Sequence, residues 1–267
     1  MQILVLIKQV PEMERVQFDA EKGRIDRKSA GVEVNPFDLN ALETAVKIKE
    51  KIGAQVTALS MGPARAEDAL KEAAARGADQ CFLLNDNKFA GADTIATSAV
   101  LAAAAEKLAE YDLIIAGEMS VDGDTAQVGP QTAEFLGINH AAYVSSINSV
   151  TEEEININTS LWGANYKKTY SYPLLITVTK DINTPRLPSF KDKMRARKTE
   201  ISKLDFNDIK NYLKIDEVGF AGSPTWVADI IVPEKISRKG KIYNEEDKNI
   251  ALAEIKEMLK AKNLMED

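Results

Sequence analysis

The chain has 267 residues, 45% of them hydrophobic, and a formal net charge of −7. That suits one large domain, or one domain with an appendage, with enough apolar material for a sizeable core. The acidic balance lacks the broad basic footprint that nucleic-acid binding needs, so nucleic acid is not an expected partner. Cys81 is the single cysteine and His140 the single histidine. These counts exclude an intrachain disulfide, a CxxC redox pair and a cysteine-rich iron–sulfur site, and they argue against a catalytic triad or a histidine-based metal site. Cys81 stands in the apolar run CFLL and reads as a core residue, and His140 follows a helix stop and reads as a turn or surface residue. Any redox chemistry must come from a bound cofactor. The longest wholly apolar run, Ala99 to Ala105, is far short of the ~20 residues of a membrane helix. No basic region precedes the first apolar run and no cleavage pattern follows it, so the expectation is a soluble, cytoplasmic protein without membrane insertion.

In chain order, Ile3 to Ile7 reads as a first strand, continuous and β-branched enough for the centre of a parallel sheet. It runs into Lys8-Gln9-Val10-Pro11. Ligands of open parallel sheets lie outside the carboxyl ends of the strands, which makes Lys8 and Val10 pocket candidates, against the plainer reading of a solvent-facing lysine. Residues 15 to 35 break the alternation of strand and helix. Val16 to Asp19 and Gly23 to Asp26 alternate around a polar turn, as a hairpin insertion does, and Val32 to Val34 can add a strand. Asn35-Pro36 opens a helix whose apolar face carries Leu39, Leu42, Val46 and Ile48, with Asn35 as N-cap on the simplest reading. Val56 to Leu59 is the next strand, ending at Ser60-Met61-Gly62-Pro63. Ala64 to Arg76 is helical and stopped by Gly77. Gln80 to Leu84 is a further strand, and Thr94 to Ala109 a long helix with Asp93 placed to cap it.

The stretch Asp112 to Gly137, DLIIAGEMSVDGDTAQVGPQTAEFLG, organises the rest. Leu113 to Ala116 is a strand buried on both faces, Gly117 ends it, a loop with Gly123 between Asp122 and Asp124 follows, and then a helix stopped by Gly137. Strand, glycine-containing loop and helix N-terminus together form an anion site, because first-turn N–H groups have no partner within the helix. Asp124 or Thr125 can serve as N-cap, worth roughly 1 kcal/mol. Beyond it, Ala141 to Val150, Ile155 to Asn158 and Tyr166 to Tyr172 read as antiparallel strands, and Leu174 to Thr179 as a β-branched strand. Neither GxGxxG nor GxxxxGK[ST] occurs, so a dinucleotide fingerprint and a P-loop are not supported. Asp192 to Lys203 is strongly polar and reads as a boundary, dividing an α/β nucleotide-binding domain at 1–190 from a C-terminal arm at 191–267. The arm ends in an amphipathic helix near Glu245 to Lys262 with Leu252, Ile255 and Leu259 on one face, and has too little apolar material for its own core. The fold class is therefore α/β: a mostly parallel nucleotide-binding sheet with helices on both faces, a β-hairpin insertion and an extended C-terminal arm.

VDGDTAQVGP at residues 121–130 resembles the nucleotide-binding loop of electron-transfer flavoprotein β subunits. LVLIKQVP at 4–11, NPFDLNALETAVKIKE at 35–50 and PLLITVTKDINTPRLPSFKDKMRARK at 173–198 agree in order and spacing, so the resemblance covers nearly the whole chain. One departure is Glu118-Met119, where many relatives carry a basic residue and Gln. The resemblance implies a heterodimer with an α subunit that holds FAD, and a nucleotide in this chain held by Lys8, Val10, Asn35, Met61, Asp93, Thr94, Thr97, Gly117, Asp122, Gly123, Asp124, Thr125, Ala126, Gln127, Val128 and Gly129, with Ser98 of the GADTxATS motif nearby. It implies a recognition loop for a flavin-dependent dehydrogenase, of acyl-CoA or 2-hydroxyacid type, with Ile182 as anchor beside Pro185.

VDGDTAQVG is more similar to the electron-bifurcating branch, which implies FAD in place of AMP, NADH as substrate, and electrons divided between the α-subunit flavin and ferredoxin. No side chain is then required as acid, base or nucleophile, and the chain is an electron-carrying subunit. The alternatives are an AMP-holding, non-bifurcating β subunit and a regulatory adenine-nucleotide module of universal-stress type. An adenylating enzyme of related fold would need an SGGxDS loop after the first strand, where this chain reads KQVPEME.

Overall fold

The computed structural model describes residues 1–12, 17–19, 24–26, 31–161, 163–228 and 240–265. Two compact units divide the chain, 1–230 and 231–267. Within the first unit, β1 (Gln2–Leu6) is followed by β2 (Gln9–Pro11), the short pair β3 (Gln17–Asp19) and β4 (Arg24–Asp26), and β5 (Val32–Val34). β3 and β4 pair antiparallel as the expected hairpin, whose remaining residues at 13–16, 20–23 and 27–30 lie outside the described residues. β5 pairs antiparallel with β2 in a separate small sheet. Then come α1 (Pro36–Ile52), β6 (Gln55–Met61), α2 (Glu67–Arg76), β7 (Gln80–Leu84), α3 (Thr94–Leu108), β8 (Leu113–Gly117) and α4 (Val128–Leu136). The chain continues through β9 (Asn139–Val150), β10 (Glu154–Leu161), β11 (Ala164–Ser171), β12 (Leu174–Val178), α5 (Phe190–Ala196), β13 (Ser202–Leu204) and α6 (Phe206–Ile209).

The nine-stranded sheet has the order β11-β10-β9-β12-β8-β1-β6-β7-β13. β9, β12, β8, β1, β6, β7 and β13 are mutually parallel, and β9, β10 and β11 form an antiparallel meander at one end. β9 therefore belongs to both parts, parallel to β12 on one side and antiparallel to β10 on the other. Side chains of β1 alternate between two cores, as period 2 requires. Ile3, Val5 and Ile7 meet Ala41, Leu42, Ala45 and Leu70 of α1 and α2, whereas Leu4 and Leu6 share the opposite core with Val100, Ala104 and Ala133 of α3 and α4. Helices thus cover both faces of a mostly parallel α/β sheet. Cys81 is buried in the first core, and burial together with the charge of Asp79 pushes its thiol up to about 12, so it is inert there.

The first unit extends past the expected boundary at 190/191. Ser202–Leu204 adds an edge strand to β7 through backbone hydrogen bonds, and Ile201, Ile209, Leu213 and Val218 are buried in the two cores. Most apolar side chains of 200–218 are therefore spent on the main unit, while Tyr212 and Ile215 stay exposed. In the second unit α7 (Lys248–Ala261) buries none of its side chains. No helix among the described residues is long and apolar enough to cross a membrane.

α4 is seated by a close approach. A Cβ on Gly129 would lie 2.5 Å from Thr177 Cγ2 of β12, and Thr177 Oγ1 accepts the Tyr143 N–H at 3.1 Å. At the other end Gly137, at φ 64°, takes the left-handed turn that stops the helix. Gly129→Ala is expected to destabilise the protein by about 1–3 kcal/mol through overpacking. Adding Thr177→Ser, which deletes the methyl and keeps the acceptor, should restore most of the loss. Urea midpoints of the single and double variants check this; an additive pair contradicts it.

Candidate functional site

From β1 the chain moves outward through β6 and β7, then returns by α3 to β8 on the other side of β1. That reversal is the topological switch point at which open α/β sheets leave a crevice at the carboxyl ends of their strands. A cavity of about 660 Å³ lies there, between the ends of β1, β6, β7 and β8, the N-termini of α3 and α4, and the 118–127 loop. Its size falls within the ~300–1,000 Å³ of small-molecule sites.

α1 fixes the floor. Asp38, buried in its first turn, accepts the N–H of Lys8 at 2.8 Å and that of Gly117 at 3.3 Å, joining the ends of β1 and β8. Burial pushes the Asp38 carboxyl up to about 7, against the opposing pull of its hydrogen bonds from Asn35, Lys8 and Gly117. Asn35 makes no side-chain cap to α1. Its amide instead donates to Met119 O at 2.9 Å and accepts the Val121 N–H at 3.2 Å, so it holds the loop.

The loop then turns through two non-glycine residues in the left-handed region, Asp124 at φ 51° and Ala126 at φ 54°. Such residues are uncommon and cluster where a binding geometry over-determines the backbone. Among the described residues, no group accepts the N–H of Thr125, Ala126 or Gln127. α4 begins only at Val128, with Gln127 at its N-cap position and no side-chain cap. The expected cap by Asp124 or Thr125 is therefore corrected: the left-handed turns delay the helix and carry both side chains away from its first N–H groups. Across the cavity, Asp93 Oδ1 does cap α3, accepting Ile95 and Ala96 N–H at 2.9 and 3.1 Å. Its Oδ2 accepts the N–H and hydroxyl of Thr225. Burial opposes the Asp93 charge, but these donors hold its carboxyl below the usual range. Thr94 Oγ1 donates to Gln127 Oε1 at 2.9 Å, linking the two helix N-termini.

The lining is acidic. Lys8 is its cationic side chain among the described residues, against Asp38, Asp86, Asp93, Glu118 and Asp122. Lys8 Nζ pairs with Asp122 at 2.6 Å and donates to Ser120 Oγ at 3.1 Å. Burial works against the Asp122 charge, yet the Lys8 hydrogen bond and charge prevail and keep its carboxyl low. Glu118 is pushed up by burial and then by Asp181, with Lys180 opposing.

Lys8, Asn35, Met61, Asp93, Thr94, Thr97, Gly117, Asp122, Gly123, Thr125, Ala126, Gln127, Val128 and Gly129 are brought together around this cavity. Two expected residues are not part of the lining. Val10 is buried in β2, and Asp124 is turned out to solvent. Ser98 is also core: its hydroxyl donates to Thr94 O at 2.7 Å, inside the helix. Asp38 and Ser120 were missed, although Asp38 stands three residues after Asn35 at a spacing that returns to the same side of a helix start.

The electron transfer flavoprotein domain matches residues 22–209. The chain belongs to the electron transfer flavoprotein β-subunit family. It is 42% identical to the electron transfer flavoprotein subunit beta of Thermoanaerobacterium thermosaccharolyticum over 91% of this chain and 92% of the relative. It is 39% identical to the subunit beta of Megasphaera elsdenii, over 93% of each chain. It is also 39% identical to the caffeyl-CoA reductase-Etf complex subunit CarD of Acetobacterium woodii, over 85% of this chain and 86% of the relative. Membership in the electron transfer flavoprotein family implies electron transfer, flavin or nucleotide association, an α-subunit partner and work in a dehydrogenase complex.

Outside the cavity lies the segment that carries the expected docking anchor, Ile182. Ile182 is half-buried and packs against the core beneath α1, as its hydrogen-bonded neighbours at 180–186 require. The exposed apolar residues of this loop are Leu187, 86% exposed, and Phe190, 81% exposed, with Pro185 half-buried before them.

The buried Asp38 predicts a pH dependence. Its folded-state value of about 7 stands above 3.8, so its contribution to stability is full below pH ~4 and is lost as pH rises to ~7. Asp38→Asn keeps one acceptor, loses the other at every pH, and cannot ionise. Urea midpoints at pH 5 to 8 should move in the variant's favour relative to wild type as pH rises; a constant offset contradicts the assignment.

Proposed function

We propose that this β subunit binds FAD in the cavity at the switch point, accepts electrons from NADH there, and delivers them to the α-subunit flavin and to ferredoxin. The observation that carries the reading is the 123–127 loop. A Cβ on Gly123 would make one ordinary contact, with Ser120 Oγ at 3.5 Å. Two left-handed residues then leave successive N–H groups without protein acceptors, the backbone form of an anion-binding concavity. A diphosphate needs that close backbone approach more than a monophosphate does, and a cavity of about 660 Å³ is on the scale of cofactor sites.

The residues present fit the group. Its phosphates would be met by the loop N–H groups and by the positive ends of α3 and α4, since Lys8 is already neutralised by Asp122. Asp93 is occupied in capping and Asp122 by Lys8, so neither carboxylate faces an anion unpaired. Met61, Leu101 and Phe89 supply apolar walls toward β6 and α3. When bound, FAD would supply hydride acceptance and one-electron transfer; this chain orients it and excludes water.

The exposed Leu187 and Phe190 are the proposed contact with a flavin-dependent dehydrogenase, of acyl-CoA or 2-hydroxyacid type. The unpartnered apolar side chains beyond 219, namely Phe220, Trp226 and Val227 and then Ile250, Leu252, Ile255 and Met258 of α7, are the proposed contact with the α subunit.

Flavin analysis of the purified heterodimer supplied with FAD tests the central claim. The expected result is two FAD per heterodimer and bleaching by NADH. One FAD with one AMP, and no reduction by NADH, overturns it. Gly123→Asp should empty the β-subunit site alone, because the backbone there tolerates a side chain and the added charge opposes phosphate.

Assembly is tested separately. Removal of 231–267 should leave the first unit folded and weaken α-subunit binding at least tenfold. Removal from 205 onward should also unfold the core, because Ile209, Leu213 and Val218 go with it. Undiminished binding after the shorter truncation contradicts the arm.

A further inference from the structure

We infer that a polar stripe on α1 is a brace that presents Leu187 and Phe190 as a preformed protein-docking anchor, with Glu43 and Arg186 as positioning residues; this rests on the docking role proposed for that pair. The stripe is Asn40, Glu43, Thr44 and Glu50, which recur at helical spacing on one side of α1. All four reach the same segment. Asn40 Nδ2 donates to the carbonyls of Lys180 and Asn183 at 3.1 and 2.8 Å. Asn183 Nδ2 donates back to Asn40 O at 3.0 Å and to Thr44 Oγ1 at 2.8 Å.

Arg186 is held at every polar atom its residue offers. Its N–H and Nε donate to Glu43 Oε2 at 3.1 and 2.7 Å, and its Nη2 to Glu43 Oε1 at 3.2 Å. Its guanidinium also reaches both oxygens of Glu50, at 2.6 and 3.0 Å. Its carbonyl accepts from Arg76 of α2, whose own guanidinium is fixed by Glu72. Glu43 is buried while Arg186 is 34% exposed, so this is a charge pair with fork geometry at the edge of the core.

The same contacts seat Ile182 against the core and give the buried Asn40, Glu43, Thr44 and Arg76 their partners, but the residue that follows Arg186 points away from the core. Leu187 is exposed, and Phe190 opens α5 in the same condition. α5 is itself fixed by a capping box between Ser189 and Asp192. The two apolar side chains are thus held out by rigid backbone on both sides. An anchor already ordered loses little conformational entropy when it enters a pocket. Lys191, Lys193, Arg195, Arg197 and Lys198 follow directly. The geometry and charge fit a partner dehydrogenase whose surface offers an apolar pocket rimmed by carboxylates.

The test uses the α/β heterodimer and whichever purified dehydrogenase, acyl-CoA or 2-hydroxyacid, turns over with the wild type. Glu43→Gln and Arg186→Lys weaken the brace without leaving a buried carboxylate alone, as Arg186→Ala would. Each should raise the KM for the dehydrogenase about tenfold with kcat unchanged, and should raise amide hydrogen exchange at 183–188 while the remaining protected amides are unaltered. In a Leu187→Ala/Phe190→Ala background the brace variants should have no further effect on KM, since the feature they position is gone. An unchanged KM in the wild-type background, a fall in kcat instead, or the same KM increase in both backgrounds overturns the brace. If Leu187→Ala/Phe190→Ala alone leaves KM unaltered, or neither dehydrogenase class turns over with wild type, the docking role itself is overturned.

Discussion

One buried carboxylate sets the geometry on which the rest depends. Asp38 takes the N–H groups of Lys8 and Gly117, the first from just beyond β1 and the second from the last residue of β8. These neighbouring strands diverge at the switch point, and their ends carry the two walls of the cavity. A carboxylate is suited to the position because it can accept from both strands at once, which a donor or an apolar side chain cannot. The cost is desolvation, visible in the raised value of its carboxyl. Gly117 is required on the same ground: a Cβ there would fall 2.6 Å from Asp38 Oδ1 and from Phe37 Cβ.

The electrostatics of the cavity follow from having one lysine among several carboxylates. Side-chain charge cannot be the main attraction for a phosphate here. For the proposed phosphate the attraction falls to the backbone, that is, to two helix N-termini with a strained loop between them. Three of the nearby acids are engaged elsewhere, since Asp93 caps α3, Asp122 holds Lys8, and Asp38 joins the strands. Engagement by fixed partners lessens the repulsion these three would exert on an anion while leaving the backbone donors available.

Much of this was legible in the sequence, for definite reasons. Strands buried on both faces, such as Ile3 to Ile7 and Leu113 to Ala116, lack polar breaks, and glycines at 77, 117 and 137 mark the ends of elements. The cavity residues were legible because a strand end, a glycine loop and a helix start follow one another. What was missed depends on information that residue types do not carry. β13, reading SKL, joins the sheet mainly through its backbone, with Leu204 as its one apolar contact with a core, so no apolar pattern announces it. The left-handed turns at Asp124 and Ala126 moved the helix start, and neither residue type predicts that conformation. Ile182 and Leu187 are equally apolar in sequence; only the hydrogen bonds from α1 decide that the first turns inward and the second outward.

The C-terminal quarter divides for a reason that hydrophobicity alone would not reveal. Ile201, Ile209, Leu213 and Val218 complete the two cores, but Phe220, Trp226 and Val227 are left exposed. The change occurs where Phe220 N donates to Ala90 O and where Ser223 and Thr225 bind Gly91 and Asp93. The chain is thereby tied to the rim of the cavity at the point where it stops contributing to the core. Hydrogen bonds, and not apolar burial, hold this junction, so the aromatic side chains beyond it remain available. A subunit whose family works with an α-subunit partner needs such a surface, and the one proposed for it begins beside the N-terminus of α3.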